Sequence, residues 1–325
     1  MKVFITGANG LLGCNVVREL LREGHEVRIL VRPGANLAGL KGVDCEIVYG
    51  DLLNEDLLIM STLGFDVVIH AAANTSQWPT DVKYYETINL KGTEKVVNAV
   101  KKNRIPKLIH VSTANTFGFG TKEDPGTEIS PYCFETLGSG YITSKYLAQQ
   151  LVLDEVKKHG LPAVLVNPTF MIGPYDARPS SGRIIRMGLR KKIQVFPSGG
   201  KNFIHVKDAA IAICNAIHLG KPGECYLLAH ENLTYKEFYA KVNRVADQHP
   251  VQARLPDFLV KSAGIAGSVF EWITGKPVSL NKVNAALLMI GNYYSGAKAV
   301  EQLKMPQTPV EMAIREAIEW WKDRL

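Results

Sequence analysis

Tyr141 and Lys145 are a tyrosine and a lysine four residues apart in the sequence, and this spacing points to proton-transfer chemistry. Side chains at positions i and i+4 lie on the same face of a helix, so the phenol and the ammonium point the same way. A free phenol has a pKa of about 10, which is too high for efficient proton transfer at neutral pH. A fixed positive charge nearby favours the phenolate and lowers that pKa. We therefore predict that Tyr141 exchanges a proton with a substrate and that Lys145 tunes it.

Two hydroxyl residues, Ser112 and Thr113, follow an apolar run that is typical of a buried strand. Open α/β sheets bind their ligands at the carboxyl ends of the strands. A hydroxyl at such an end can donate a hydrogen bond to a substrate oxygen while negative charge builds on it. From the residues alone either hydroxyl can serve, and a hydroxyl that only caps a turn is the structural alternative.

A glycine-rich turn joins the first apolar run to the first helical pattern. Gly7 permits a tight turn, Gly10 leaves room for a pyrophosphate, and Gly13 lets the helix pack closely on the strand. The amino terminus of the helix then offers free N–H groups and the positive end of its dipole to the phosphates. The residues predicted to bind the dinucleotide here are Gly7, Asn9, Gly10, Leu11, Leu12 and Gly13.

Arg32 stands at the end of the second apolar run, where NAD-selective proteins usually carry an Asp or Glu for the ribose 2′-hydroxyl. A guanidinium suits a 2′-phosphate, because it offers charge-assisted hydrogen bonds and stacking. We therefore predict that the protein binds NADP(H) in preference to NAD(H). A surface arginine at a strand end is the alternative.

Lys145, besides its predicted effect on Tyr141, can donate hydrogen bonds to the hydroxyls of the nicotinamide ribose.

The elements that must position these residues alternate between strand and helix over the first half of the chain. The apolar runs rich in Val and Ile are Val3–Thr6, Val27–Val31, Glu46–Tyr49, Val67–His70, Leu108–Ser112 and Ala163–Asn167. Such nearly continuous runs are typical of parallel strands buried on both faces. The pattern predicts an α/β Rossmann-type, doubly wound parallel sheet over residues 1–170. We expect residues 171–325 to form mainly a smaller, substrate-binding region, with segments that return to the first domain.

Composition restricts the class of protein further. The 325 residues include 38 Lys and Arg against 31 Asp and Glu, a formal net charge of +7, which suits anionic small molecules and does not require nucleic acid. The basic cluster Arg190–Lys192 lacks interleaved aromatic residues and indicates a solvated helix end. The five cysteines are scattered, which favours neither a disulfide framework nor a metal site. We found no signal peptide and no membrane-spanning segment, so we expect a cytoplasmic protein.

The chain resembles the extended short-chain dehydrogenase/reductase superfamily. The resemblance covers most of the sequence and rests on seven ordered markers: the glycine turn, Asp51-Leu52, His70-Ala71-Ala72-Ala73, Asn89-x-x-Gly92-Thr93, Ser112-Thr113, Tyr141-x-x-x-Lys145, and Asn167-Pro168 leading to Gly173-Pro174. It implies an NAD(P)-dependent enzyme. When the sequence is aligned with the family at Gly118, the active hydroxyl falls on Thr113.

The resemblance also implies roles for residues whose types alone say little. Asp51 and Leu52 would lie at the adenine, and Asn89 would hold the active-site helix or a water. Ala71, Ala72 and Ala73 would line the cofactor cleft. The residues approaching the nicotinamide would be Pro168, Thr169, Phe170 and Met171. Homodimers are common in the superfamily, so a homodimer is an expectation here too.

Within the superfamily the chain looks most like the dihydroflavonol 4-reductase-like and 3β-hydroxysteroid dehydrogenase-like branch. This implies carbonyl reduction, or the reverse oxidation, of a small and ring-bearing substrate. A nucleotide-sugar epimerase is the first alternative, with Arg183, Arg186 and Arg190 on one helix face as diphosphate ligands or as solvated charges. A non-catalytic NADP(H) sensor is the second alternative. The candidate substrate contacts are Asn74, Trp78, Thr113, Phe117, Phe170 and Arg183.

Overall fold

The computed structural model describes residues 1–76, 80–177, 180–276 and 278–322. The strands within this part of the chain are β1 (Lys2–Thr6), β2 (Glu26–Val31), β3 (Glu46–Tyr49), β4 (Val67–His70), β5 (Lys107–Val111), β6 (Ala163–Pro168), β7 (Phe170–Ile172), β8 (Ile193–Phe196), β9 (Gly200–His205), β10 (Cys225–Leu228), β11 (Glu231–Thr234), β12 (Val251–Arg254) and β13 (Gly291–Asn292).

The helices in the same residues are α1 (Leu11–Arg22), α2 (Glu55–Thr62), α3 (Val82–Tyr85), α4 (Gly92–Lys102), α5 (Gly140–His159), α6 (Arg183–Gly188), α7 (Val206–Leu219), α8 (Tyr235–Val245), α9 (Asp257–Thr274), α10 (Lys282–Met289), α11 (Ala297–Leu303) and α12 (Val310–Lys322). A π-helical stretch, Glu86–Lys91, joins α3 to α4. In the described part of the chain, no helix is long and apolar enough to pass through a bilayer.

Seven parallel strands of the described chain form the main sheet, in the order β10-β6-β5-β4-β1-β2-β3. Strand order reverses between β1 and β4, which are hydrogen-bonded neighbours with Thr6 opposite His70. Ligands of open α/β sheets bind outside the carboxyl ends of the strands at such a reversal. The fold therefore places the crevice beside Thr6 and His70.

Side chains of each central strand alternate between two apolar layers, as the period of two residues requires. Val3 and Ile5 of β1 pack in one cluster with residues of α1 and α7. Phe4 packs in the opposite cluster with residues of α2, α4 and α5. This burial on both faces explains why the strands are nearly continuous apolar runs, and it confirms the predicted α/β doubly wound parallel sheet.

Four of the remaining described strands form a second sheet, in which β9 pairs with β7, β11 and β13. Its apolar core includes Phe203, Phe238 and Trp321, all nearly inaccessible to solvent. A two-stranded parallel ribbon, β8 with β12, lies outside both sheets.

Two elements beyond residue 170 contribute to the main sheet and its cover. β10 extends the sheet by pairing with β6, and α7 packs against α1. The division into residues 1–170 and 171–325 stays a prediction, and these two segments are the ones that return across it.

Candidate active site

The glycine turn between β1 and α1 is shaped by the close approach of backbone to backbone. Gly7 has φ +76°, and a Cβ there would lie 2.5 Å from the nitrogen of Ala72. A Cβ on Gly13 would lie 2.2 Å from the carbonyl oxygen of Gly7. Because real Cβ atoms do not come this close, both positions require glycine if α1 is to start directly at the edge of the sheet.

The amino terminus of α1 is open, in contrast to the crowded positions on either side. Gly10 is its N-cap and contributes no side-chain hydrogen bond to the first turn. A Cβ on Gly10 would meet only the oxygen of Gly7, at an ordinary 3.5 Å. The first N–H groups of α1 are therefore available to an anion, and the residues present fit the pyrophosphate of a dinucleotide.

A small cavity of about 180 Å³ adjoins this turn and is lined by Asn9, Arg32, Pro33, Gly34 and Ala35. Arg32 is exposed, so its guanidinium is accessible to an anionic ligand from solvent. The structure thus brings Arg32 to the glycine turn.

The two residues predicted at the adenine differ in their surroundings. The Oδ1 atom of Asp51 accepts a hydrogen bond of 2.8 Å from the N–H of Leu53, so this carboxylate stabilises its own turn. Leu52 is 8% exposed and packs in the core cluster on the α4 side of the sheet.

A chain of buried hydrogen bonds runs along the carboxyl edge of β1 and β4. The Oγ1 atom of Thr6 lies 2.7 Å from Nδ1 of His70, and Nε2 of His70 lies 3.1 Å from Oγ1 of Thr93. Thr6 Oγ1 also accepts a hydrogen bond of 3.3 Å from the N–H of Ala72. Burial and the nearby charge of Lys145 lower the pKa of His70 to about 3, so this histidine stays neutral. These hydrogen bonds fix the start of the Ala71–Ala73 segment.

Asn89 connects the loop after β4 to α5. Its Oδ1 accepts from the N–H of Asn74 at 2.7 Å, and its Nδ2 donates to the carbonyl of Asn74 at 3.1 Å and to Oγ of Ser144 at 2.9 Å. Ser144 Oγ in turn donates to the carbonyl oxygen of Tyr141 at 2.8 Å. Asn89 is 1% exposed, so it holds the first turns of α5 against the cleft from inside the protein. Asn74 makes backbone contacts here, and its role towards substrate stays a prediction.

Tyr141 lies in the first turn of α5, which is capped by the side chain of Ser139. Burial raises the pKa of Tyr141 to about 12, a hydrogen bond with the side chain of Thr113 lowers it in part, and Tyr85 raises it further. The phenol therefore keeps its proton at neutral pH. The structure brings the phenol to the hydroxyl of Thr113, whereas Oγ of Ser112 is buried without a hydrogen-bond partner.

Thr113 is positioned from the neighbouring strand. Nδ2 of Asn167, at the end of β6, donates to the carbonyl oxygen of Thr113 at 3.1 Å. The same nitrogen lies 3.0 Å from Oγ1 of Thr116 and 2.7 Å from Oε1 of Gln149 on α5. The backbone of Thr113 is thus fixed between β6 and α5, and its hydroxyl accepts a hydrogen bond of 3.4 Å from the N–H of Asn115, which caps the following turn.

Lys145 is buried with its ammonium at the end of β5. Its Nζ donates a hydrogen bond of 2.8 Å to the carbonyl oxygen of Val111, and burial lowers its pKa to about 8. Burial of His110 itself, together with the effects of Lys145 and His70, keeps the pKa of His110 well below its ordinary value. The predicted influence of Lys145 on Tyr141 stays a prediction, since Thr113 is the group that opposes the raised pKa of the phenol here.

Lys201 on β9 is a residue that the sequence analysis missed. Its Nζ lies 5.3 Å from the ring centroid of Phe170 on β7, a cation–π contact, and burial lowers its pKa to about 8. Phe170 packs edge-on against Phe203 with ring centroids 5.5 Å apart. No local sequence signal marks Lys201, because its place over Phe170 follows from the pairing of β7 with β9.

The other predicted residues near the nicotinamide and substrate are distributed as follows. Thr169 Oγ1 donates to Oδ1 of Asn202 at 2.7 Å, so its hydroxyl is engaged within the protein. Phe117 is 8% exposed and packs with Leu227 and Tyr294 in a small apolar cluster. Pro168 ends β6, and Met171 is partly buried against the main core.

The three arginines predicted on one helix are not all on it. Arg183 and Arg186 are exposed on α6, but α6 ends at Gly188 and Arg190 lies beyond it with φ +54°. The expectation of one three-arginine helix face is therefore wrong, because the helix ends before Arg190.

Trp78 lies outside the described residues. The described residues contain no group of three or more His, Cys, Asp or Glu placed to hold a metal ion.

Together, the parallel sheet, the open amino terminus of α1 and the Thr113–Tyr141–Lys145 group define a dinucleotide-dependent enzyme of the short-chain dehydrogenase/reductase type. The chain belongs to the NAD-dependent epimerase/dehydratase family, whose sequence model matches residues 3–229. This confirms the resemblance on the sequence markers.

Individual relatives span nearly the whole chain. A protein of Synechocystis sp. described as a "putative dihydroflavonol 4-reductase" is 29% identical, covering 98% of this chain and 94% of that protein. The sterol demethylase protein B of Methylococcus capsulatus is 25% identical, covering 100% of this chain and 99% of that protein. The crystal structure of gox2253 matches with a TM-score of 0.84 at 27% identity, covering 99% of this chain and 98% of that chain.

Proposed function

We propose that the protein is an NADP(H)-dependent reductase that converts a carbonyl of a small, ring-bearing substrate to the alcohol, or runs the reverse oxidation. The observation that carries this proposal is that the Thr113 hydroxyl is close enough to the Tyr141 phenol to lower its pKa, on the helix that also carries the buried Lys145. Two polar hydrogens then meet at one point of the crevice, where the oxygen of a carbonyl can accept both.

The protonation state of Tyr141 favours the reductive direction. With a pKa of about 12 the phenol carries its proton at neutral pH and can donate it to the substrate oxygen as negative charge develops there. Thr113 orients that oxygen through its hydroxyl. The dinucleotide, when bound, supplies the hydride for the carbonyl carbon.

Lys145 has a binding role and an electrostatic one in this proposal. Its ammonium already donates to Val111, and the remaining hydrogens can hold the hydroxyls of the nicotinamide ribose. Because it is buried, its positive charge is poorly screened and opposes protonation of His70 and His110. The same charge would stabilise the phenolate that Tyr141 becomes after it gives up its proton.

The preference for NADP(H) is supported by the surroundings of Arg32. Arg32 and Asn9 line one cavity. A 2′-phosphate in this cavity would meet an exposed guanidinium, and the end of β2 offers the 2′-hydroxyl of NAD(H) an arginine in place of the usual carboxylate.

The substrate class is supported by two side chains on the paired strands β7 and β9. Phe170 offers an aromatic face, and Lys201 brings a cation over that ring. We propose an apolar ring system that carries, besides the reacting carbonyl, an oxygen that can accept a hydrogen bond from Lys201. The names of the two relatives, a dihydroflavonol reductase and a sterol demethylase protein, support ring-bearing substrates.

The deciding experiment measures NADPH consumption by the purified protein against a panel of cyclic ketones, with linear ketones as controls. We expect turnover with the cyclic compounds and slower turnover with NADH. Conversion of UDP- or GDP-sugars without added dinucleotide would instead show the epimerase alternative. Tight NADPH binding without turnover of any panel member would support the sensor alternative.

A further inference from the structure

Helix α9 packs against the protein through a narrow stripe that includes both of its glycines. The stripe that faces α10 consists of Val260, Gly264, Gly267, Ser268 and Glu271. A Cβ on Gly264 would lie 2.5 Å from the Cβ of Ala285, and one on Gly267 would lie 2.0 Å from the oxygen of Leu280. The glycines thus let α9 and its connection to α10 approach closely, and large side chains have no room on this side.

The large apolar side chains of α9 point the other way, into solvent. Trp272 is 86% exposed, Ile273 69% and Phe258 66%. The exposed apolar residues, which we call the α9 apolar face, are Phe258, Leu259, Ile265, Val269, Phe270, Trp272 and Ile273. At 3.6 residues per turn they span roughly 160° of the helix circumference. Contiguous exposed apolar surface of this kind marks an interaction site.

The charges around the α9 apolar face are mostly positive and accessible. Lys261, Lys276 and Lys282 are exposed. The two acidic residues of the helix are engaged, since Asp257 lies 3.7 Å from Arg254 and Glu271 accepts a hydrogen bond of 2.8 Å from the N–H of Val278. A partner that binds this face therefore meets apolar side chains bordered by solvent-exposed ammonium groups.

The ribbon that leads into α9 repeats the same combination. Val251 of β12 pairs with Ile193 of β8, and both are exposed, at 69% and 65%. Lys191 and Lys192, directly before β8, are exposed as well. The basic cluster noted in the sequence thus borders a second exposed apolar surface, and the chain passes from it to α9 within two residues.

We propose that the α9 apolar face and the β8–β12 ribbon dock on the surface of a lipid bilayer that contains anionic headgroups. An amphipathic helix with aromatic and aliphatic residues on one side and lysines at its border lies in the plane of such an interface. The lysines extend towards the headgroups while the apolar side chains enter the acyl boundary. The attachment is peripheral, and it is independent of the proposed function.

A second copy of the chain fits this surface less well. Two copies that joined through this face would bring the lysines of both copies to one interface, and like charges gathered there oppose association. An anionic bilayer complements the lysines and can cover both the helix and the ribbon, because it is an extended surface that deforms around side chains.

The test is sedimentation of the full-length protein with vesicles of phosphatidylcholine, with and without phosphatidylglycerol. We expect binding that needs phosphatidylglycerol and weakens with salt. The double variant Phe270→Ser/Ile273→Ser should bind about 10-fold more weakly or worse, since two apolar side chains that would enter the bilayer are lost. Lys261→Glu/Lys276→Glu should give a comparable loss. Met60→Ser, which changes an exposed apolar residue on α2, should bind like the unchanged protein.

The control for folding is thermal denaturation, which these exposed substitutions should leave nearly unchanged. Absence of binding to phosphatidylglycerol vesicles by the unchanged protein would overturn the proposal. So would a homodimer, measured by ultracentrifugation without lipid, that Phe270→Ser/Ile273→Ser dissociates. NADPH turnover is not a readout of these measurements, so failure of the proposed function would leave their interpretation intact.

Discussion

Asn89 donates a hydrogen bond of 2.9 Å to Ser144, one residue before Lys145 on α5. The same side chain holds both backbone groups of Asn74 in the loop after β4. One buried amide therefore joins two segments that border the crevice, and the position of α5 depends on it.

Replacing Asn89 should test this connection directly. In Asn89→Ala the N–H and C=O of Asn74 lose their partners, and we expect the free energy of unfolding to fall by about 1–3 kcal/mol. Urea denaturation measures the loss. Asn98→Ala is the matched control, since the amide of Asn98 bonds Glu55 near the surface. Equal losses for the two variants would show that the bridge contributes no more than a surface contact.

Tyr141→Phe should remove the proton donor while preserving the ring. We expect turnover to fall by about 10²–10⁴-fold, the usual contribution of general acid catalysis, with little change in the dissociation constant for NADPH. Tyr146→Phe is the control on the same helix, because the ring of Tyr146 stacks on Tyr132, with centroids 4.1 Å apart, and that stacking does not need the hydroxyl. Steady-state kinetics and a binding titration measure both quantities. Turnover within a few-fold of the unchanged enzyme would reject the assigned role.

Thr113→Val should raise the pKa of Tyr141 further, because the hydroxyl that opposes the effect of burial is lost. We expect slower turnover, and Thr113→Ser should restore most of it since the hydroxyl returns. The measurement is the pH profile of turnover, in which the alkaline limb should move upward in the valine variant. Ser112→Ala should leave the profile unchanged. If Ser112→Ala had as large an effect as Thr113→Val, the assignment of the role to the Thr113 hydroxyl would be wrong.

Arg32→Ser should change cofactor preference. Loss of a charge-assisted contact to the 2′-phosphate costs about 1.5–3 kcal/mol, so NADPH should bind about 10- to 100-fold more weakly. Binding of NADH, which lacks that phosphate, should change little. Arg22→Ser, on the far end of α1, serves as the control. If both dinucleotides weaken equally, Arg32 does not read the phosphate.

Lys201→Met should alter how stability depends on pH. The pKa of Lys201 is about 8 in the folded protein and about 10.4 in an unfolded chain. Between these values the unfolded state binds more protons, so the free energy of unfolding rises with pH there. Denaturation at pH 7.5 and about pH 10 should show a smaller rise in the variant. The exposed Lys236→Met should keep the full rise, and identical curves for both variants would argue against a buried cation at position 201.

Much of the fold could be predicted because each central strand is covered on both sides. Such strands must be continuous apolar runs, so Val67–His70 and its neighbours stand out in the sequence. The glycine turn was predictable for a related reason, since Gly7 and Gly13 sit where no Cβ fits. The spacing of Tyr141 and Lys145 also required only one helix, α5.

The features that escaped prediction depend on contacts between distant segments. Lys201 reaches Phe170 because β9 pairs with β7, a pairing that neither segment shows alone. The end of α6 at Gly188 separates Arg190 from Arg183, although the spacing in sequence suits one helix. For α9, the side of the helix that faces the protein is decided by the close approach of Gly264 to Ala285, two residues that are distant in the sequence.

The late position of β10 and α7 in the chain has a consequence for synthesis on the ribosome. The first 170 residues emerge with β6 as a bare edge and with α1 lacking the helix that covers it. Only when the chain has grown past Leu228 can the sheet gain its last strand. Until then the nascent protein exposes an unpaired strand edge with which other chains can pair. Its nucleotide-binding half should therefore need chaperone protection that the finished molecule does not need.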